Sequence, residues 1–159
     1  PQDMSLYEQT FKKAVSTLKV QGAETMVFGD IYLQEHRDWI ERVSAEIGVA
    51  QVLPLWGRDP ESLLNEFIQA GFEAIVVSAN SEILGEEWLG RKIDRSFVAD
   101  LKQLAMEKSF DLCGEKGEYH TVVLDGPLFR KRMAPSYGER VKRDGYWFLD
   151  LPRCTMRTK

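Results

Sequence analysis

Ala74-Ile75-Val76-Val77-Ser78 is the stretch on which the fold turns. It is an unbroken apolar run, rich in β-branched residues and closed by a polar one. Strict alternation of apolar and polar residues would mark a strand with one wet face. Its absence here predicts a short strand buried on both faces. Upstream, Asp59-Pro60 is a helix start, with the acid as cap and proline in the first turn. Leu63, Leu64, Phe67 and Ile68 continue at helical spacing, and Gly71 ends the helix before the strand begins.

The same unit recurs twice towards the amino terminus. His36, Ile40, Val43 and Ile47 form a helical stripe closed by Gly48, and Ala50-Gln51-Val52-Leu53 follows as a buried strand ending at Pro54-Leu55-Trp56. Before that, Tyr7, Phe11, Ala14, Val15 and Leu18 recur at helical spacing up to Gly22. Thr25-Met26-Val27-Phe28 is then a buried strand ending at Gly29-Asp30. Ser5 with Glu8 reads as a capping box, which starts the first helix near Leu6. Three alternations of helix and unalternated strand predict an α/β protein with a parallel sheet flanked by helices. Beyond it, a helix from Ser96 through Phe97, Leu101, Leu104 and Ala105 is followed by strands at Tyr119–Asp125 and Gly145–Leu149, separated by the Gly126-Pro127 turn. This last third reads as a small α+β extension, and the expected domain division is 1–94 and 95–159.

Composition narrows the function. The chain has 159 residues, 21 Lys plus Arg against 25 Asp plus Glu, and a net charge of −4, which fits a globular protein of ordinary size. No apolar run approaches the roughly 20 residues of a membrane span, and no basic-then-apolar signal opens the chain. Cys113 and Cys154 are too few for a disulfide framework or a metal cluster, so a reduced, cytoplasmic setting is expected. Between Arg130 and Lys159 nine basic residues face three acidic ones. Such a tail suits phosphates or an acidic protein surface, or is a solvated strand-and-loop tail. Overall acidity argues against direct nucleic-acid binding.

Ligands of open α/β sheets bind outside the carboxyl ends of the strands. That rule nominates Gly29-Asp30, Pro54-Leu55-Trp56 and Ser78-Ala79-Asn80. Asp30 would hold a magnesium ion or polar substrate group, or else cap the following helix. Trp56 would stack on a base or cation, or else pack in the core. Ser78 and Asn80 read as turn residues. The densest stretch is Cys113-Gly114-Glu115-Lys116-Gly117-Glu118-Tyr119-His120-Thr121. Gly117 would let a ligand approach the backbone, Glu115 and Glu118 would bind a cation or orient ammonia, and His120 would shuttle a proton. The competing reading is a surface loop with two solvated acids. Cys113 lacks the electropositive setting of a nucleophile, and His36 reads as a packed or capping histidine.

Taken together, these pieces resemble the diphthine–ammonia ligases, a family within the PP-loop ATP pyrophosphatases. The resemblance is carried by Val27-Phe28-Gly29-Asp30-Ile31 with Glu35-His36-Arg37, Leu53-Pro54-Leu55-Trp56, and Leu89-Gly90-Arg91-Lys92-Ile93-Asp94. Gly114-Glu115-Lys116-Gly117-Glu118-Tyr119-His120-Thr121 and Asp125-Gly126-Pro127-Leu128-Phe129 complete it, in consistent order. The resemblance implies a Rossmann-like, adenine nucleotide alpha-hydrolase-like sheet. Residues 1–94 would be the remainder of its nucleotide-binding domain, and 95–159 a substrate-side subdomain. It implies ATP-dependent amidation of diphthine, a modified histidine of translation elongation factor 2, through an acyl-adenylate, with ammonia displacing AMP and pyrophosphate released. ATP and Mg2+ are the implied cofactors. The protein acceptor, elongation factor 2 or another carboxylate-bearing molecule, and ammonia are the implied partners, and a homo-oligomer is left open.

Diphthine carries a quaternary ammonium, which carboxylates and aromatic faces suit. Under this reading Glu115, Glu118 and His120 are catalytic, and Trp56, Tyr119, Gly117 and Thr121 bind substrate. Gly29, Asp30, Ser78, Arg91 and Lys92 face the nucleotide, with Asp30 the Mg2+ carboxylate. Two departures stand out. Lys116 replaces a glycine and His120 a glutamate of the family's acidic motif, as in a prokaryotic branch. The Ser-Gly-Gly-Lys-Asp-Ser phosphate loop is absent, and the chain opens on Pro1, so a strand and its phosphate loop are expected ahead of it. The alternatives are an ATP pyrophosphatase acting on another carboxylate or a nucleoside, and a non-catalytic protein-binding module lacking that loop.

Overall fold

A computed structural model describes residues 3–108 and 110–159. It is a mixed α/β structure that divides into two compact units, one ending at Arg58 and the other beginning at Asp59. The 94/95 division drawn from sequence falls inside the second unit, at the cap of a helix.

The first unit runs α1 (Met4–Val20), β1 (Thr25–Val27), α2 (Gln34–Ile47) and β2 (Ala50–Val52). β1 and β2 pair in parallel, Thr25 against Ala50 and Val27 against Val52. The cap of α1 is Asp3, whose carboxylate accepts from the backbone N–H of Ser5 (3.0 Å) and Leu6 (3.3 Å). The Ser5/Glu8 box does not form, because Glu8 is drawn instead to Lys12, Arg42 and the Trp39 indole. Gly48 closes α2 in the left-handed region at φ 72°, its N–H bonding back to Ser44 and Ala45, a conformation that favours glycine. The expectation of two buried strands is corrected. Val27 is 70% exposed and Val52 47%. Burial in this unit lies between the helices and the loops, at Val15, Ile31, Ile40, Val43 and Val49.

The second unit contains α3 (Pro60–Gln69), β3 (Glu73–Asn80), a short 3-10 turn at Glu86–Trp88, α4 (Arg95–Glu107), and β4 (Tyr119–Asp125). It continues with β5 (Lys131–Ser136), β6 (Arg140–Arg143), β7 (Tyr146–Leu149) and β8 (Arg153–Thr158). The strand order of its larger sheet is β4-β3-β7-β6, antiparallel throughout, and β5 and β8 form a separate antiparallel ribbon. The expected third parallel strand is therefore corrected. β3 does not join β1 and β2; it lies between β4 and β7. Its apolar run reported burial correctly, since Ile75 and Val76 are essentially inaccessible, but burial on two faces does not encode strand direction.

The core of this unit gathers around β3. Phe97 is fully buried and meets Trp88 and Tyr119 edge-on, at centroid distances of 5.5 and 5.6 Å. Sequestering such a ring stabilises by about 1.5–3 kcal/mol from area alone. Asp59 and Asp94 cap α3 and α4 through the N–H groups of Ser62 (2.8 Å) and Phe97 (2.9 Å). Among the described residues no helix is long and apolar enough to cross a membrane.

Candidate functional site

The loop that enters β4 is built around two buried carboxylates. Glu118, 3% exposed, accepts from the backbone N–H of Asp111 at 2.8 Å and of Lys116 at 3.0 Å. Asp111, 8% exposed, accepts from the N–H of Cys113 at 2.8 Å and of Glu115 at 3.2 Å. The two acids thus satisfy backbone donors that a tight loop would otherwise bury unpaired, each worth about 1–3 kcal/mol if orphaned. Tyr119 adds a third tie, its hydroxyl donating to the Leu112 carbonyl at 2.6 Å. Gly114 and Gly117 have φ of 75° and 83°. A Cβ on Gly114 would sit 2.9 Å from the Tyr119 carbonyl oxygen, a backbone atom with no freedom to withdraw.

This geometry separates the nominated residues by role. Glu118 and Tyr119 are structural ties of the loop, and Gly117 is one of its turns. Burial raises the Tyr119 phenol well above its usual range, with Cys113, Asp111 and Glu118 adding to the rise. Glu115 lies half-buried within the loop, and His120 and Thr121 are exposed on β4. Burial likewise pushes the Cys113 thiol up to about 12, aided by the charges of Asp111, Glu115 and Asp59, and its S–H faces the Pro60 carbonyl at 3.4 Å. A thiol in that state is no nucleophile.

The carboxyl end of β3 meets this loop. Ser78 pairs with His120 and Ala79 with Tyr119, and the Asn80 N–H donates to the Glu118 carbonyl at 2.9 Å. The end of β3 and the acidic motif therefore meet within the second unit, although the strand-end rule, which concerns parallel sheets, does not apply to β3. Ser78 is buried with no hydrogen-bond partner for its hydroxyl. Arg91 lies 4.4 Å over the Trp88 ring and pairs with Asp100 at 2.7 Å, while Lys92 is exposed, 3.9 Å from Glu73. Gly29, Asp30 and Trp56 belong to the first unit. Asp30 Oδ1 lies 2.8 Å from Nδ1 of His36 rather than capping α2, and His36 is largely exposed rather than packed. Trp56 lies under the Arg37 guanidinium at 5.0 Å.

Asp111 was missed from sequence. Its signal was faint, an acid seven positions before Glu118 with only a glycine-rich loop between, which nothing distinguishes from a solvated turn.

Comparison with known proteins places these elements in a family. Residues 4–51 match the family model of the diphthamide synthase N-terminal domain, and residues 59–157 that of the C-terminal domain. A diphthine–ammonia ligase of Schizosaccharomyces pombe is 37% identical over 135 residues, covering 82% of this chain and 22% of its own length. Those of Danio rerio and Homo sapiens are 31% and 30% identical, covering 79% and 74% of this chain and 48% and 44% of their own. The chain thus spans less than half the length of each of these relatives. The matches to both domain models, in the order in which the two compact units occur, show that the chain belongs to the diphthamide synthase family.

Proposed function

We propose that the chain serves an ATP-dependent amidation in which a carboxylate of a protein acceptor, of the diphthine type, is condensed with ammonia. The observation that carries this reading is the loop Gly114–Thr121, held rigid by Glu118 and Asp111 at the end of β3, in a chain whose relatives are named diphthine–ammonia ligases. ATP would supply activation of the acceptor carboxylate as an acyl-adenylate, with pyrophosphate released at that stage and AMP on attack by ammonia.

Glu115 and His120 are the groups at this loop suited to the ammonia half of the reaction. A carboxylate at Glu115 accepts a hydrogen bond from ammonia and orients its lone pair, and His120 accepts the one proton that the nitrogen loses as the amide forms and AMP leaves. Glu118 acts through them as a positioning residue. It fixes the backbone at Asp111 and Lys116, on either side of Glu115 in the chain.

The fit of the implied cofactors differs. The sequence has no Ser-Gly-Gly-Lys-Asp-Ser stretch; Arg91 and Lys92, paired at the surface with Asp100 and Glu73, are the cations that would meet phosphate. Among the described residues no group of three or more His, Cys, Asp or Glu is arranged to hold a metal ion. Asp30 offers one carboxylate, bonded to His36, and Glu35 lines the same cavity among aromatic rings. Magnesium is commonly held by one or two carboxylates together with substrate phosphates, so Asp30 and Glu35 would be the carboxylates to share it with a bound nucleotide.

The test is product analysis. ATP, ammonium and a diphthine-bearing acceptor should yield AMP and pyrophosphate in equal amounts, only when ammonium is present. ADP formation, or turnover indifferent to ammonium, would overturn the reading. Turnover with a free nucleoside in place of the protein acceptor would favour the nucleoside alternative.

A further inference from the structure

The carboxyl-terminal strands form one object that the amidation reading leaves unused. β6 pairs with β7 from Arg140 against Leu149 to Arg143 against Tyr146, and β5 with β8 from Lys131 against Thr158 to Ser136 against Arg153. Between the two ladders the Gly138 N–H donates to the Asp150 carbonyl (2.8 Å) and the Asp150 N–H to the Glu139 carbonyl (2.9 Å). Residues 131–158 are therefore a single long antiparallel hairpin. Its tip is Asp144-Gly145, with φ of 51° and 81°, the left-handed pair that a two-residue hairpin turn requires. The Ser81 hydroxyl ties that tip to the end of β3 by donating to the Gly145 carbonyl at 2.8 Å.

The hairpin collects positive charge. Nine basic and three acidic residues lie between Arg130 and Lys159, so the acidity of the whole chain is an average over an acidic body and a basic ribbon. Arg132 is committed to Glu73 and Lys159 to Asp125. Lys131, Lys142, Arg153 and Arg157 are exposed, and among the described residues none of the four has an acid at ion-pair distance. Arg143 has only Asp144, at 3.9 Å and open to solvent, a contact worth little. Six of the nine are arginines, whose planar fork matches phosphate oxygens.

Aromatic rings stand among these cations. Register sets Val141 opposite Phe148 and Arg143 opposite Tyr146, so the four share one face. The other face of β7 turns to the core, where Leu149 is buried and Trp147 packs on the cluster around Phe97. On the face away from the core, Tyr146 and Phe148 lie 6.4 Å apart at 42°, and the Arg143 guanidinium is 5.3 Å over the Phe148 ring. Ser78 pairs with Phe148 in the sheet, and its buried hydroxyl has no hydrogen-bond partner. An acidic protein surface would call for the cations alone. Rings interleaved with arginines on a sheet face are the chemistry that stacks unpaired bases and tracks their phosphates.

We propose that this hairpin is a binding surface for a single-stranded polynucleotide, with Tyr146 and Phe148 stacking bases and Arg143, Arg153 and Arg157 meeting phosphates. The proposal goes beyond the amidation and does not depend on it.

Fluorescence anisotropy of the whole chain tests it, with a labelled oligouridylate of twelve residues and its oligothymidylate counterpart. No ATP, ammonium or acceptor is present, so failure here leaves the amidation untouched. Saturable binding of either oligomer supports the surface, and the tighter of the two identifies the preferred backbone. Affinity should fall about twentyfold between about 50 and 200 mM salt, as three phosphate contacts imply. In Arg153→Ala/Arg157→Ala, both exposed positions, that fall should shrink to about threefold. Tyr146→Leu and Phe148→Leu keep an apolar side chain and remove the ring, and each should weaken binding about fivefold or more. Circular dichroism should match the parent in all variants. The proposal is overturned by an absence of saturable binding at the lower salt, or by a duplex of the same length binding as tightly as the single strand. Polyglutamate competing as well as unlabelled oligomer overturns it in favour of an acidic protein surface. Unchanged affinity in both folded leucine variants also overturns it.

Discussion

Replacing Glu118 tests the loop directly, because its two carboxylate oxygens have separate partners. Oε1 accepts from Asp111 N–H and Oε2 from Lys116 N–H. Glu118→Gln keeps one acceptor and turns an NH2 group towards the other buried N–H, so one hydrogen bond to a charged group is lost. The expected cost is about 1.5–3 kcal/mol. Glu118→Ala strands both donors and opens a small void, so about 3–5 kcal/mol is expected, less than twice the single loss because the loop relaxes. Urea denaturation followed by circular dichroism measures the total, with the second unit's transition treated separately from the first. Amide exchange locates it. In Glu118→Gln, one of the Asp111 and Lys116 amides should lose protection, and in Glu118→Ala both should, while amides in α4 exchange as before. Glutamine stability equal to the parent, with both amides still protected, would refute the bracing role. Activity supplies a further readout. A positioning role predicts a lower kcat with KM nearly unchanged in Glu118→Gln, and partial recovery in Glu118→Asp with ammonium raised.

The remaining expectations concern reactivity, capping and the core. Cys113, its thiol pushed up to about 12 by burial and neighbouring acids, holds on the order of one thiolate in ten thousand at pH 8. Iodoacetamide should therefore label the exposed Cys154 far faster, and equal labelling by peptide mass mapping would contradict the burial argument. Asp94→Ala removes the cap of α4 and should cost about 1 kcal/mol at pH 7. The Asp94 carboxyl is held below its ordinary value by the N–H of Phe97 and the hydroxyl of Ser96. A lowered folded-state value means that its contribution is present above the unfolded carboxyl range and is lost as pH falls through the folded value. The difference between parent and variant should accordingly shrink below about pH 4, and a pH-independent difference in urea midpoints would count against it. Phe97→Ala empties the space between Trp88 and Tyr119 and should cost about 3–5 kcal/mol. A midpoint shift worth under about 1 kcal/mol would show that this ring is not central to the core.

Helices were legible wherever their ends carry chemistry. Asp59-Pro60 and Gly48 each mark a terminus by a backbone requirement that few residues meet. The first cap was misread because Ser5/Glu8 and Asp3 both satisfy local rules, and only the distant Arg42 and Trp39 decide where Glu8 goes. β3 and its neighbours β4 and β7 are legible as strands, but their antiparallel pairing is not, since it joins residues 40 or more positions apart. β6, with all four residues exposed, and β8, with all six, have no hydrophobic period to read. At the site, the motif Gly114–Thr121 was found as a dense patch of unusual residues. Its inner logic was not, because a buried carboxylate tied to backbone N–H groups and a solvated one are spelled with the same letter.

The central claim is that these residues serve an ammonia-dependent amidation. It is tested most directly by grafting residues 4–157 into the Schizosaccharomyces pombe relative in place of its matching segment. The chimera is then supplied with isotope-labelled ammonium and a diphthine-bearing acceptor. Label should enter the acceptor in one-to-one ratio with AMP, and less of it in a chimera carrying Glu118→Gln. A folded chimera that forms AMP without labelling the acceptor, or that labels it equally with and without Glu118, would contradict it.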